Sequence, residues 1–336
     1  MFTFGLAGGG HDFDPLILLL IGLAVEAAVG DPDFVFRLVR HPVVVIGGVV
    51  DWFDRKLNRE QRSDLDRAVR GAVVVAIIVA ATGAIGWGIA WLTRFHDFGV
   101  IVEFVLLITL LAQRGLYDHV KAVGTALDKG GVEAGRAAVA HIVGRDPARL
   151  DDHGVARAAL ESLAENFADG VVAPVFWYVL FGFPGLLVYK AVNTMDSMIG
   201  YRTPRHRAFG FAAARLDDIL NLIPARLAAL YLALASCFSG TARPVESLLT
   251  MLRDAGKHRS PNAGWPECAM AGALGLALAG PRQYSHATVK DAWMGSGTAQ
   301  ATPRDVRRGL DLYLIACLIN AAIVGALVIV RLAAIA

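Results

Sequence analysis

The chain has 336 residues, of which 55% are hydrophobic and 18% charged, and its formal net charge is +2. Soluble domains carry about 25% charged residues, so this composition favours an integral membrane protein. No basic block indicates nucleic acid as a partner. The three cysteines lie far apart without C-x-x-C spacing, which excludes a simple redox or zinc motif and indicates packing residues.

Long apolar runs predict the membrane-spanning helices, because a span needs about 20 mostly apolar residues. The clearest runs cover residues 71–93 and 312–335. Shorter runs cover 15–29 and 98–113. We expect each of these runs to be a membrane helix.

Three further apolar segments, at 171–189, 219–238 and 266–280, are interrupted by Gly or Pro. In the second segment the predicted break is at Pro224. Such interruptions are typical of re-entrant or tightly packed helices that line a cavity. The predicted fold class is therefore all-α: a polytopic integral membrane protein with broken or re-entrant helices.

A polar, alanine-rich stretch with helical spacing separates the apolar runs and predicts a cytoplasmic helical hairpin, broken at Gly130-Gly131 and at Asp146-Pro147. Basic residues cluster in 31–70, which by the positive-inside rule places 31–70 and 113–170 in the cytoplasm. The chain then divides into N-terminal membrane helices with a basic cytoplasmic loop (1–113), the hairpin (114–170), a membrane-embedded region with polar loops (171–310) and a C-terminal transmembrane helix (311–336). The motifs discussed below lead us to expect catalysis in 171–310.

The stretch ESLAENFADGVVAPVFW, residues 161–177, places three acids at the edge of an apolar run. Glu161, Glu165 and Asp169 are spaced four apart, so they share one face of a helix and repel each other. Near a low-dielectric boundary this arrangement is costly without a cation. We expect a metal ion or a basic substrate group here, with Asn166 as a nearby oxygen ligand; the alternative is a solvated helix face.

The stretch YKAVNTMDSMIGYRTPRHRAFG, residues 189–210, combines hard oxygen ligands with cations. Lys190, Asn193 and Asp196 lie close together on one helix, and Arg202 begins a basic loop. Mg²⁺ prefers one or two carboxylates plus phosphate oxygens, so this stretch predicts a magnesium–phosphate site. The alternative is that the arginines only anchor the loop on the positive side of the membrane.

Two more stretches carry polar groups. In ARLDDILNLIPARL, residues 214–227, Asp217, Asp218 and Asn221 lie within about one turn between Arg215 and Arg226. Charges inside an apolar helix usually mark a polar pocket, although an internal ion pair of these same residues is an alternative.

In SPNAGWPECAMAGALG, residues 260–275, a turn containing Asn262 precedes a helix expected to begin near Glu267 with Pro266 at its first position. The amino terminus of such a helix is suited to bind phosphate. A plain junction between a loop and a helix is the alternative.

Together with GDP at 30–32 and HPV at 41–43, these four stretches closely resemble the CobD/CbiB family, the adenosylcobinamide-phosphate synthases of cobalamin biosynthesis. The resemblance runs in the same order from about Glu26 to Pro281. It implies an enzyme of the bacterial cytoplasmic membrane, multi-pass, with its active site facing the cytoplasm.

The resemblance implies an amide ligase that joins a carboxylate of adenosylcobyric acid to (R)-1-amino-2-propanol O-phosphate, or to the free aminopropanol. The reaction would use Mg²⁺ and, as co-substrate, ATP. The implied partners are the corrinoid, the aminoalcohol phosphate and the lipid bilayer, with no nucleic acid. Other membrane enzymes of late cobalamin assembly and a homo-oligomer are further candidates.

The resemblance also suggests roles for the charged residues. Asp196, Asp217 and Asp218 would hold Mg²⁺ against ATP phosphates, while Glu161 or Glu165 would bind the substrate ammonium and take its proton. The expected phosphate-neutralising cations are Lys190, Arg202, Arg215 and Arg226. The amides expected to orient substrate oxygens are Asn166, Asn193 and Asn262.

Two other functions use similar residues. A membrane prenyl- or phosphoalcohol transferase also combines acids with Mg²⁺, but the chain lacks regularly spaced tandem Asp motifs. A transporter also has charges and broken helices within the membrane.

Overall fold

The computed structural model describes residues 14–30, 40–144, 147–283, 288–289 and 291–335. Within these residues the chain forms twelve α-helices. In chain order they are α1 (Pro15–Val29), α2 (Pro42–Leu57), α3 (Asp64–Phe95), α4 (Asp97–Leu110), α5 (Gln113–Val139), α6 (Asp152–Phe167), α7 (Ala173–Ile199), α8 (Phe211–Leu220), α9 (Leu222–Ala235), α10 (Pro244–Asp254), α11 (Gly264–Leu274) and α12 (Pro303–Ile335).

Four two-residue strands lie between α11 and α12. They are β1 (Leu278–Ala279), β2 (Arg282–Gln283), β3 (Thr288–Val289) and β4 (Trp293–Met294). β1 pairs antiparallel with β4, with Leu278 opposite Met294, and β2 pairs antiparallel with β3. These short pairings do not change the class of the protein, and the predicted all-α class is confirmed.

Four helical segments are long and apolar enough to cross a membrane: Asp64–Phe95, Asp97–Val139, Asp152–Ile199 and Pro303–Ala334. The pair Phe211–Leu220 and Leu222–Phe238 adds a fifth if the two helices, bent by 47°, form one span. The segments include the predicted runs at 71–93 and 98–113 and the interrupted segment 171–189, and the fourth covers most of 312–335. The run at 15–29 forms α1, an apolar helix shorter than these candidate spans. The chain is a polytopic membrane protein with broken helices.

The breaks have identifiable backbone causes. Within α7 the helix is interrupted at Gly182, whose φ of 67° suits glycine, two residues before Pro184. The predicted break at Pro224 is wrong: the helices separate at Asn221, and Pro224 lies in the first turn of α9, where its missing N–H costs no helical hydrogen bond.

The segment 266–280 also differs from the prediction. The helix begins at Gly264 rather than near Glu267, so Pro266 is its third residue, and it ends at Leu274. Gly275 terminates it in the left-handed conformation, with φ 69°, and the chain continues into β1.

The chain divides into two compact units. The first contains the described parts of 1–112, 173–221 and 324–336, and the second contains those of 113–172 and 222–323. In the first unit, residues of α2, α3, α7 and α8 form a core that includes Val50, Val74, Val192 and Phe209. In the second unit, a larger core joins α5, α6 and α9–α12.

The predicted hairpin corresponds to α5 and α6, which pack against each other. α5 is kinked at Gly131, which has φ 70°, as the glycine pair predicts. Asp151 caps α6 by accepting a hydrogen bond from the backbone N–H of Gly154 at 2.7 Å. Asp146 of the predicted break at Asp146-Pro147, and Asp31 and Pro32 of the GDP motif, lie outside the described ranges.

Candidate functional site

In the first unit, the candidate site is built on α7, α8 and the loop that joins them, residues 200–210. This loop folds tightly against the helices. A side-chain Cβ on Gly210 would collide with the carbonyl oxygen of Ile199, so the close approach requires glycine. The loop thereby brings the acids of α8 beside those at the carboxyl end of α7.

Asp217 is the buried centre of a hydrogen-bond chain. Asn193 and Asn221 donate their side-chain N–H groups to its two oxygens, at 3.4 and 3.0 Å. The Tyr189 hydroxyl in turn donates to the Asn221 amide oxygen at 3.0 Å. Tyr189, Asn221 and Asp217 are all buried. Two predicted site residues, Asn193 and Asp217, are therefore in contact, and Tyr189 and Asn221 fix the orientation of Asp217.

Asp196 and Asp218 complete an acidic cluster with Asp217. The charges of the three carboxylates lie close enough to interact. Asp218 forms an ion pair with Arg215 at 2.8 Å, which confirms one of the internal pairs considered for this helix. The charge of Arg202, from the exposed end of the loop, also acts on Asp218. Lys190 is half-buried on the same helix as Asp196.

The donor set of this cluster fits a magnesium ion. No described residue donates a hydrogen bond to the Asp196 carboxylate, so its oxygens are available. Neighbouring carboxylates repel in a medium of low dielectric constant, and a divalent cation would relieve that repulsion. Across the described chain, no group of three or more His, Cys, Asp or Glu side chains is spaced to enclose a metal. An ion held by one or two carboxylates and by substrate phosphates needs no such group.

The basic loop is fastened to α2 and α3 by a buried polar network, which we call the loop clamp: Asp54, Asn58 and Arg67. Asn58 donates to Asp54 at 2.6 Å and to the backbone carbonyl of Arg205 at 3.0 Å. Arg67 donates to the Asn58 side-chain oxygen at 2.8 Å and to the same Arg205 carbonyl. The clamp therefore holds the loop backbone rather than only its side chains.

Three of the four basic side chains of the loop also pair with acids of α2 and α3. Arg205 forms an ion pair with Asp54 at 2.5 Å, His206 lies 3.6 Å from Asp54, and Arg207 pairs with Asp64 at 2.8 Å. Burial pushes the pKa of Asp54 upward, but the hydrogen bonds from Arg205 and Asn58 outweigh it, so the pKa is lowered overall. Arg202 is thus the loop cation that acts on the acidic cluster.

The second unit contains the three acids spaced four residues apart, Glu161, Glu165 and Asp169, which lie in different environments. Glu161 is buried and accepts a hydrogen bond from the backbone N–H of Ala279 at 2.8 Å. Glu165 is exposed, as is Asn166, whose amide donates to the carbonyl of Ser162 at 2.9 Å. After Phe167 the chain forms a π-helical turn, Ala168–Val172, so Asp169 does not continue the regular α-helical face. The sequence spacing alone did not reveal these differences.

Glu161 supports an unusual backbone conformation. Ala279 has φ 57°, in the left-handed region that non-glycine residues rarely adopt. The Glu161 carboxylate satisfies the N–H of this residue inside the protein. Its burial and its backbone partner indicate a structural contribution beyond any contact with substrate.

We expect Glu161→Ala to lower the free energy of unfolding by about 1–3 kcal/mol, because it leaves the buried Ala279 N–H without its acceptor. Glu165→Ala is the matched control on the same helix, with an expected change within about 0.5 kcal/mol because Glu165 is exposed. Thermal unfolding of the purified variants measures both changes. Equal stability of the two variants would contradict this role, and Glu161→Gln, which retains an acceptor, should recover part of the loss.

Arg226 and Asn262, two of the predicted site residues, come together in the second unit. An Arg226 N–H donates to the Asn262 side-chain oxygen at 3.4 Å and to the carbonyl of Leu222 at 2.6 Å. The guanidinium lies 4.5 Å from the ring centre of Trp265. Trp265 was not identified from the sequence, although an aromatic residue three positions after Asn262 was an available signal.

The fold and these clusters define a polytopic, all-α membrane protein with carboxylates, amides and cations gathered on broken helices. Residues 19–313 match the family model described as CobD/Cbib protein, and the chain belongs to that family.

Curated relatives support the assignment. A Cobalamin biosynthesis protein CobD from a Sinorhizobium species is 46% identical over 318 residues, covering 94% of this chain and 98% of its own. The Brucella suis protein of the same name is 47% identical, covering 89% and 92% of the two chains. The one from Rhodobacter capsulatus is 44% identical, covering 88% and 92%. No solved structure matches the chain significantly.

Proposed function

We propose that this protein is an amide ligase of cobalamin biosynthesis, joining a carboxylate of adenosylcobyric acid to (R)-1-amino-2-propanol O-phosphate or the free alcohol. Family membership supports the role in cobalamin biosynthesis. The observation that carries the finer proposal is the acidic cluster of Asp196, Asp217 and Asp218 with Arg215 and two amides. That combination suits a substrate phosphate and its divalent cation.

The chemistry requires an activated carboxylate, because an amine does not displace the oxygen of a free carboxylate. In the proposal ATP is the co-substrate that provides the phosphate leaving group. Asp196, Asp217 and Asp218 would hold Mg²⁺, which when bound neutralises charge on the phosphates. Arg202, Arg215 and Lys190 would bind phosphate oxygens as cations.

The side-chain amides of Asn193 and Asn221 would hold the Asp217 carboxylate in position. Asn193 already donates to Asp217, so its side chain would hold the orientation of that carboxylate while substrate is bound. The chain Tyr189–Asn221–Asp217 leaves little freedom for Asp217 to rotate. A fixed carboxylate costs less reorganisation when the reaction proceeds.

The resemblance implies further roles, for binding the amine and other phosphate oxygens. Glu165 is the better candidate to bind the ammonium group and take its proton, because it is exposed whereas Glu161 holds the Ala279 backbone. Arg226 and Asn262 would bind phosphate or amide oxygens, with Trp265 and Asn262 holding the guanidinium in place. Asn166 would contribute a further amide.

The proposed location is the bacterial cytoplasmic membrane, with the active site facing the cytoplasm. The candidate spans support insertion in a membrane. ATP and the corrinoid acid would then reach the site from the compartment in which ATP is made.

The test is amide formation by the purified protein in lipid nanodiscs, given adenosylcobyric acid, aminopropanol phosphate, ATP and Mg²⁺. We expect adenosylcobinamide phosphate as product, with ATP consumed only when both organic substrates are present. A second assay with free aminopropanol in place of aminopropanol phosphate identifies which of the two amines the protein prefers. Accumulation of corrinoid in sealed vesicles without an amide product would overturn the proposal in favour of transport.

A further inference from the structure

The helix α10, with the sequence PVESLLTMLRD, has its apolar side turned outward. Val245, Leu248, Leu249 and Leu252 follow the spacing i, i+3, i+4, i+7, so they form one stripe along the helix. Their side chains are 69%, 42%, 51% and 64% exposed in that order. Four large apolar residues on the outer face of an eleven-residue helix are not explained by packing against the residues that the structure describes.

The opposite stripe of α10 is mostly small or polar and faces the protein. Its members are Ser247, Thr250, Met251 and Asp254, all buried. The Ser247 hydroxyl donates to the carbonyl of Ala269 on α11 at 2.8 Å. A Cβ on Gly272 of α11 would come within 2.8 Å of the Ser247 Cα, so the two helix backbones are in close contact. In a water-soluble protein the apolar stripe would be the buried one.

Basic residues lie on α10 and in the segments beside it, where Arg253 and Lys257 pair with the buried Asp254 and Arg259 pairs with Asp291. The exposed cations on α10 and in the segments beside it are Arg243, Arg253, Lys257 and Arg259. The only exposed acid of α10 is Glu246, because Asp254 is buried and accepts hydrogen bonds from Arg253 and Lys257. An apolar stripe with cations at its margins complements an anionic lipid surface, where acyl chains lie beside negatively charged headgroups.

The preceding helix supports a lipid environment for this part of the second unit. α9 packs against α10 and belongs to the bent pair that is apolar enough to enter a membrane. Its outward residues include Leu230 and Leu234, and Phe238 follows at its carboxyl end. The apolar exterior of α9 is therefore followed, after the polar turn 239–243, by the apolar stripe of α10.

We infer that α10 lies in the plane of the membrane as an amphipathic interfacial helix, with its apolar stripe in the boundary between headgroups and acyl chains of an anionic bilayer. This role is separate from the proposed amide ligation and does not depend on it. It anchors α10 and, through α10, the buried helix α11 against which it packs.

The test uses a nitroxide spin label on Leu249→Cys, with Glu246→Cys as the matched control on the same helix. The full chain, carrying Cys237→Ser and Cys317→Ala, is reconstituted in vesicles of phosphatidylcholine and phosphatidylglycerol. Burial raises the pKa of the remaining Cys268 thiol, which keeps it unreactive towards the labelling reagent. Power saturation compares collisions with oxygen, which concentrates in lipid, and with a water-soluble nickel chelate.

We expect the ratio of oxygen to nickel collisions to be at least about threefold higher at position 249 than at position 246. The same label on Leu252→Cys, one turn further along the stripe, should give the same collision ratio as the label at position 249. Leu252→Cys replaces Leu249→Cys if the latter does not fold. A nickel-accessible label at both stripe positions would overturn the inference in favour of water. Immobilised labels shielded from both reagents, with spin–spin broadening, would overturn it in favour of a second copy of the chain.

Discussion

An Asp217→Ala variant is expected to form the amide product about 10²–10³-fold more slowly than the unaltered protein, because it removes a fixed charge from the proposed magnesium–phosphate site. Asp217 is buried, and both its oxygens accept hydrogen bonds from amides, so its carboxylate is held in one orientation. Asp196→Ala should show a similar loss. Product formation in nanodiscs is measured across a range of Mg²⁺ concentrations, and the residual activity of Asp196→Ala should need more Mg²⁺.

The control for this experiment is Asp118→Ala, which removes an exposed carboxylate whose partner is the exposed Arg114. Its rate should stay within about twofold of the unaltered protein, since exposed ion pairs contribute little. Size-exclusion profiles of all variants establish that they fold. Full activity in both Asp196→Ala and Asp217→Ala would exclude the proposed metal site while leaving the amide-ligase assignment to be judged by the product assay.

The second large effect is expected at the loop clamp. Arg67→Ala should lower the free energy of unfolding by about 3 kcal/mol, because it leaves the Asn58 oxygen and the Arg205 carbonyl without a charged donor inside the protein. The apparent melting temperature in nanodiscs measures this loss. The melting temperature of Arg67→Lys should lie between those of Arg67→Ala and the unaltered protein, since lysine keeps the charge but loses the planar arrangement of donors.

Arg70→Ala is the matched control, one turn further along α3. Arg70 pairs with Asp66 at 3.0 Å, but its side chain is 36% exposed, so the expected change is below about 1 kcal/mol. If Arg67→Ala and Arg70→Ala have the same melting temperature, the loop clamp does not stabilise the loop. A variant that is less stable but fully active at low temperature would separate stability from any effect on Arg202.

Interactions between near neighbours in the chain were accessible from the sequence. The apolar runs identified the spans because a helix in lipid must satisfy its backbone hydrogen bonds internally and expose apolar side chains. Arg215 and Asp218 are three residues apart, so helical geometry alone brings them together. The charged stretches in their order also identified the family, which the comparisons confirm.

The positions of the helix breaks could be predicted only in part from the sequence. The helices are interrupted at Gly131 and Gly182, as the glycines in these segments predict. Pro224 does not, because a proline in the first turn of a helix removes no hydrogen bond. The break at Asn221 coincides instead with the hydrogen bonds that tie this residue to Tyr189 and Asp217.

The helical class, most of the spans, the family and the residue types of the candidate site could be predicted from the sequence, since they depend on hydropathy, local spacing and motif order. Which distant residues meet depends on the tertiary structure. It brought Asp196 to Asp217, the clamp to the Arg205 carbonyl and Glu161 to Ala279, and it turned the apolar stripe of α10 outward. Hydropathy records that a side chain is apolar or charged, whereas its partner depends on how the helices pack.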